Sequence, residues 1–139
     1  MHVAELLTSL TTHYNAIIRS FAQKQSLTCS QALLLLNIPF DGITMTDLAY
    51  KLGIDNSTLT RNINKLIILN LVSKKRGKHD KRVINILITS EGKGVLNKLE
   101  ESLNSFNISI INHIDIEDQN KITELLEKLV WAMDCVREQ

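Results

Sequence analysis

A chain of 139 residues, 44% apolar and 22% charged, can bury one hydrophobic core without metal or disulfide staples, and its composition is neither that of a disordered nor of a fibrous protein. No uncharged apolar run approaches the roughly 18 residues needed to cross a bilayer as a helix. The net charge of +1 hides an asymmetry: between Lys51 and Arg82 nine Lys or Arg face only Asp55 and Asp80, a local +7, while from Thr89 onward five bases face ten acids, a local −5.

Residues 1–20 mix apolar positions with Glu5, His13, Asn15 and Arg19 and lack the pattern of a secretory leader. Cys29 and Cys135 make a poor disulfide framework, so a reducing cytoplasm is expected. Val3, Leu6, Leu7, Leu10, Tyr14, Ile17, Ile18 and Phe21 recur at steps of three and four and predict a long first helix. Thr28, with Gln31 as its capping-box partner, opens a second helix whose run 32–36 is apolar all round and therefore reads as buried. Residues 39–42 form a turn. Thr44, with Asp47 as box partner, opens a short third helix that Gly53 ends. Asp55 caps a fourth, from about 56 to 69, with Leu59, Ile63, Leu66 and Ile67 facing inward. Two helices joined by so short a glycine-containing turn have helix-turn-helix spacing.

The periodicity then changes. Residues 71–76 and 83–88 predict two strands, the second β-branched with Ile84, Ile86 and Ile88 on one face. The polar tip 77–82 joins them, and a basic hairpin after a helix-turn-helix reads as a wing. Thr89 caps a fifth helix with the face Val95, Leu96, Leu99, Leu103, Phe106, Ile110 and Ile114. Asp115, with Asp118, starts a sixth whose stripe is Ile122, Leu125, Leu126, Leu129, Val130, Met133 and Val136. The expected fold class is mainly α with a small β-hairpin: six helices and one wing. A single domain spans 1–139, with a winged helix-turn-helix reader at 28–88 and dimerisation helices at 1–24 and 89–139. Helices one, five and six carry more apolar surface than such a reader can cover, so a second copy of the chain is expected against them.

On the fourth helix, Ser57, Thr58, Thr60, Arg61, Asn64 and Lys65 are not needed for a core. Ser57, Arg61 and Asn64 share an outer strip, and their chemistry suits nucleic acid: Arg for guanine, Asn for adenine, Ser and Thr for base or backbone. The wing adds Lys74, Lys75, Arg76, Lys78, Lys81 and Arg82, with His79, against Asp80 alone. Arg82 is the candidate for a narrow minor groove, with Asp80 fixing its geometry, and the lysines and Arg76 would add sequence-blind phosphate attraction.

The stretch from Met45 to Arg61 resembles the reader of the MarR family of bacterial transcriptional regulators. Asp80-Lys81-Arg82 is similar to that family's Asp-x-Arg wing motif, and Ile88-Thr89-Ser90-Glu91-Gly92 to its Leu-Thr-x-x-Gly opening of the fifth helix. The likeness covers nearly the whole chain. It implies a homodimer gripping successive major grooves of a pseudo-palindromic operator in double-stranded DNA, most often as a repressor, and released by a small-molecule effector. Lys74 stands where the family often has Arg, and Asn56 where it often has proline.

Other readings have less support. Cys29, near the start of the second helix, is a candidate redox sensor, yet peroxide-sensing members of that family carry their cysteine in the first helix, which here has none. Cys135 reads as packing or surface. His2, His13, His79 and His113 form no metal-ligand spacing, so neither a metal nor another cofactor is expected. His13, Tyr14, Phe21 and Trp131 are candidates for lining an effector cleft, though such aromatics are ordinary core as well. No catalytic motif appears, so an enzyme is not expected. A winged-helix adaptor without DNA binding remains an alternative, and the basic wing argues against it.

Overall fold

The computed structural model describes residues 2–138, and these fall into two compact units, one up to Leu103 and one from Asn104. The elements run α1 (Val3–Lys24), α2 (Cys29–Asn37), β1 (Ile43–Thr44), α3 (Met45–Leu52), α4 (Asn56–Ile68), β2 (Val72–Arg76), β3 (Ile84–Ile88), α5 (Ser90–Ile111) and α6 (Ile116–Arg137). This is the expected mainly helical architecture with a wing. The sheet has a third strand, however. Its order is β1-β3-β2, all antiparallel, with Ile43 opposite Ile86 and Thr44 opposite Asn85.

In the first unit, local chemistry sets the helix boundaries. Thr28 Oγ1 accepts from the Gln31 backbone N–H at 3.2 Å, while Gln31 Oε1 accepts from the Thr28 N–H at 2.9 Å, closing the capping box. At α3 the Thr44 hydroxyl accepts from the Asp47 N–H at 3.1 Å, but the returning arm is missing. Aspartate is one methylene shorter than the glutamine that closes the box at α2. Gly53 ends α3 at φ +66°, a left-handed conformation that costs glycine little. Asp55 then caps α4.

The core lies wholly in this unit. Leu34 and Leu35 of α2, Leu48 of α3, Leu59, Ile63 and Leu66 of α4, Ile86 of β3 and Leu99 of α5 are fully buried. Ile18 and Ala22 join them from the second half of α1, where it packs on α2, whereas Val3, Leu6 and Leu10 in the first half are exposed. One expected inward residue is not inward: Ile67 is 36% exposed. At about 100° per residue it lies roughly 80° around the helix from Leu59, at the edge of the arc that the core covers.

The second unit holds the last turns of α5 and all of α6. The face predicted to reach Ile114 stops short, because α5 ends at Ile111 and Ile114 sits in the turn, its N–H bonded to the Ile111 carbonyl at 2.9 Å. Asp115 starts α6 through its backbone carbonyl, which accepts from Asp118 at 2.9 Å and Gln119 at 3.2 Å; its side chain makes no cap bond. No residue of α6 is buried, and Leu125 (63%) and Val136 (70%) on its stripe stand open. Among the described residues no helix is long and apolar enough to cross a membrane.

Candidate nucleic-acid interface

The helix-turn-helix and wing meet in the first unit. α3 packs on α4, and β2 packs on α4 as well, so the wing rises beside the second helix of the pair. With Leu59, Ile63 and Leu66 buried, the opposite side of α4 carries Ser57, Arg61, Asn64 and Lys65, all exposed. A shallow groove over this surface is lined by Asn56, Ser57, Thr60, Arg61 and Asn64. The structure thus brings together most of the side chains singled out on α4.

Thr58 is placed differently from the others. Half-buried, it gives its backbone N–H to Asp55 Oδ1 at 2.7 Å and its hydroxyl to Asp55 Oδ2 at 2.8 Å. It holds the start of α4 rather than presenting a free hydroxyl. These two bonds, the backbone one first, hold the Asp55 carboxylate below the usual aspartate pKa. A pKa lowered in the fold means stability that is present above the unfolded value and is lost as pH falls from there through the lower folded value. Acidification from about pH 6 to about pH 3 should therefore lower the thermal midpoint of the wild type more than that of Asp55→Asn, which keeps an acceptor oxygen but cannot titrate. Equal drops in the two proteins, followed by circular dichroism, would remove Asp55 from the acid response.

The wing is tied at its tip. Gly77 N–H donates to the Val83 carbonyl at 2.8 Å, Val83 N–H to that of Asp80 at 3.2 Å, and the Arg76 guanidinium to that of Lys81 at 3.1 Å. Asp80 Oδ1 accepts from the Arg82 backbone N–H at 2.9 Å and from its Nε at 3.3 Å. An ion pair this exposed contributes little stability. Its effect is directional, because the Arg82 side chain is 93% exposed yet aimed by Asp80. Lys74, Lys75, Lys78 and Lys81 are exposed too. The outer face of α4 and the wing are linked: Lys74 Nζ donates to Asn64 Oδ1 at 3.1 Å.

Two features of this surface go beyond the residues expected from the sequence. Ile68 is 83% exposed and lies eleven residues after Ser57, just over three full turns on, which extends the outer strip; that periodicity was visible in the sequence. Thr44, Met45 and Thr46 border a groove with Arg82, Val83 and Ile84, a proximity that only β1 pairing creates. Cys29 begins α2, half-buried against the core, with its thiol 3.8 Å from the Asn15 carbonyl of α1. His13 and Tyr14 are exposed on α1, Phe21 is half-buried with Lys24 over its ring at 5.5 Å, and Trp131 is 69% exposed in the other unit. Among the described residues no three His, Cys, Asp or Glu side chains are grouped to hold a metal ion.

Comparison with known proteins agrees with this geometry. The chain is 24% identical over 97 residues to the HTH-type transcriptional regulator YdgJ of Bacillus subtilis (strain 168), a match that takes in 70% of this chain and 59% of YdgJ. The chain therefore aligns with less than two thirds of that relative's length. In fold it is similar to a MarR transcriptional regulator from Methanosarcina mazei Go1, with TM-score 0.85, 20% identity, and 96% and 97% of the two chains covered. It is also similar to a mutant MarR from E. coli complexed with operator DNA, with TM-score 0.75, 18% identity, and 91% and 92% covered. Residues 16–99 match the family described as transcriptional regulator SarA/Rot. That stretch contains the helix-turn-helix, the wing and the start of α5. The fold is thus the winged helix of MarR-type proteins, and the chain belongs to the SarA/Rot family of transcriptional regulators, a family of regulators rather than enzymes.

Proposed function

We propose that the chain is a cytoplasmic, sequence-specific DNA-binding repressor that grips a pseudo-palindromic operator as a homodimer and lets go when a small molecule binds. The observation that carries this reading is the exposed strip of Ser57, Arg61, Asn64 and Lys65 beside a wing whose Arg82 is 93% exposed and aimed by Asp80. An α-helix fits the major groove, Arg and Asn match base edges there, and a hairpin-tip Arg suits the negative potential of a narrow minor groove. The lysines of the wing supply phosphate attraction. Two copies are inferred because the first half of α1 and the stripe of α6 leave large side chains uncovered in the single chain. A dimer on one face of the duplex would read half-sites about one helical turn apart and exclude a polymerase from the same stretch. A small molecule that alters the separation of the two readers would break that register.

Fluorescence anisotropy with a duplex taken from upstream of the protein's own gene tests the reading. If about six phosphates are neutralised, binding should weaken roughly a thousandfold between about 50 and 200 mM salt. Arg82→Ala should bind this duplex at least about tenfold less tightly. Weak, equal affinity for this and an unrelated duplex, untouched by Arg82→Ala, would favour an adaptor that meets proteins rather than DNA.

A further inference from the structure

We propose that Asn64 reads guanine rather than adenine, because Lys74 holds its amide oxygen. This preference presupposes the DNA reading given above. Asparagine on a reading helix matches adenine when its oxygen accepts from adenine N6 and its N–H₂ donates to N7. Here that oxygen lies 3.1 Å from Lys74 Nζ. An ammonium group has three donors and no acceptor, so it can face only the amide oxygen, and the N–H₂ end is turned away from it. The lysine is delivered by a fixed strand: β2 pairs with β3 in a register that sets Lys74 opposite Ile86, whose side chain is fully buried.

The consequence for the base edge is electrostatic. Adenine's N6 amino group would have to take the oxygen's second lone pair beside the ammonium, setting the positive end of its N–H dipole against a full positive charge. Guanine instead presents O6 and N7, both acceptors, to the amide N–H₂ and to the neighbouring ammonium. Exclusion of water in the complex strengthens both effects. Lys74 is thus a specificity-determining residue acting through Asn64, in addition to its charge.

Selection of sites from a random duplex pool, using the full-length wild type, Lys74→Met and Asn64→Ala, tests this. The methionine keeps the length of the side chain and removes the donor. All three proteins should select related motifs, since Arg61 and the wing tip are unchanged. At one position per half-site the wild type should favour guanine over adenine about tenfold. Lys74→Met should turn that preference towards adenine, and Asn64→Ala should abolish it. Adenine at the position that Asn64→Ala flattens, an unchanged preference in Lys74→Met, or a motif indifferent to Asn64→Ala would each overturn the assignment while leaving DNA recognition intact. No motif from the wild type would overturn the DNA reading itself, and the guanine preference with it.

Discussion

Gly92→Ala should destabilise the protein by roughly 3 kcal/mol, near the upper end of what overpacking a core costs. A β-carbon at this position would stand 2.0 Å from the Leu71 carbonyl oxygen and 2.7 Å from Ile88 Cγ2. The oxygen cannot simply withdraw, since it accepts the Thr89 N–H at 3.1 Å. Thr89 is itself committed on both sides: its hydroxyl donates to the Asn70 carbonyl at 2.6 Å and accepts from the Gly92 N–H at 3.0 Å. The link following α4, the root of the wing and the first turn of α5 are therefore tied into one knot that leaves room only for hydrogen on Gly92. Gly94, two residues on, has nothing within 4 Å of its ideal Cβ position. Gly94→Ala should stabilise α5 by up to about 1 kcal/mol, because alanine loses less backbone freedom in a helix. Chemical denaturation of both variants reads the contrast; a Gly92→Ala midpoint at or above that of the wild type would show that the knot yields.

Arg61→Ala should cost about 1–3 kcal/mol of affinity for the specific site, roughly 5- to 150-fold, while scarcely changing binding to mixed DNA. Arg61 sits mid-strip on α4, exposed, between Ser57 and the Asn64–Lys74 pair. If Arg61 bonds to a base edge, as proposed, the variant would no longer discriminate at one position of the site. Lys78→Ala, at the wing, is the contrasting case: binding should weaken for every sequence alike, and the salt slope should fall by about one. Competition titrations against specific and mixed duplexes separate the two patterns. If Arg61→Ala weakened both duplexes equally, Arg61 would bind phosphate and not read bases.

The helices and the wing were legible because their signals are local. Thr28 with Gln31, Asp55 before Asn56, Gly53 after Leu52 and the alternation from Ile84 to Ile88 each act within a few residues, and each is found where expected. What was not legible depends on distant partners. β1 is two residues long and exists only because Ile43 and Thr44 pair with Ile86 and Asn85, far along the chain. Apolar periodicity runs on through Ile110 to Ile114, but periodicity cannot mark where a helix stops, and α5 stops at Ile111. Ile67 matched the spacing of a core position without matching the width of the core. On α4 the sequence identified the polar strip. It could not tell that Thr58 is committed to Asp55, or that the Asn64 oxygen is committed to Lys74, since these depend on rotamers and on the sheet register.

The absence of any buried residue from α6 bears on how the protein is made. Most helical stability in proteins comes from packing an apolar face rather than from intrinsic propensity. The residues up to Leu103 include the whole core and can fold as they leave the ribosome, ahead of the tail. Under the proposed homodimer, a second chain supplies the cover that the stripe of α6 lacks in the single chain. Assembly is then the final folding step, and a nascent copy carries a finished reading unit before it has a partner with which to span an operator.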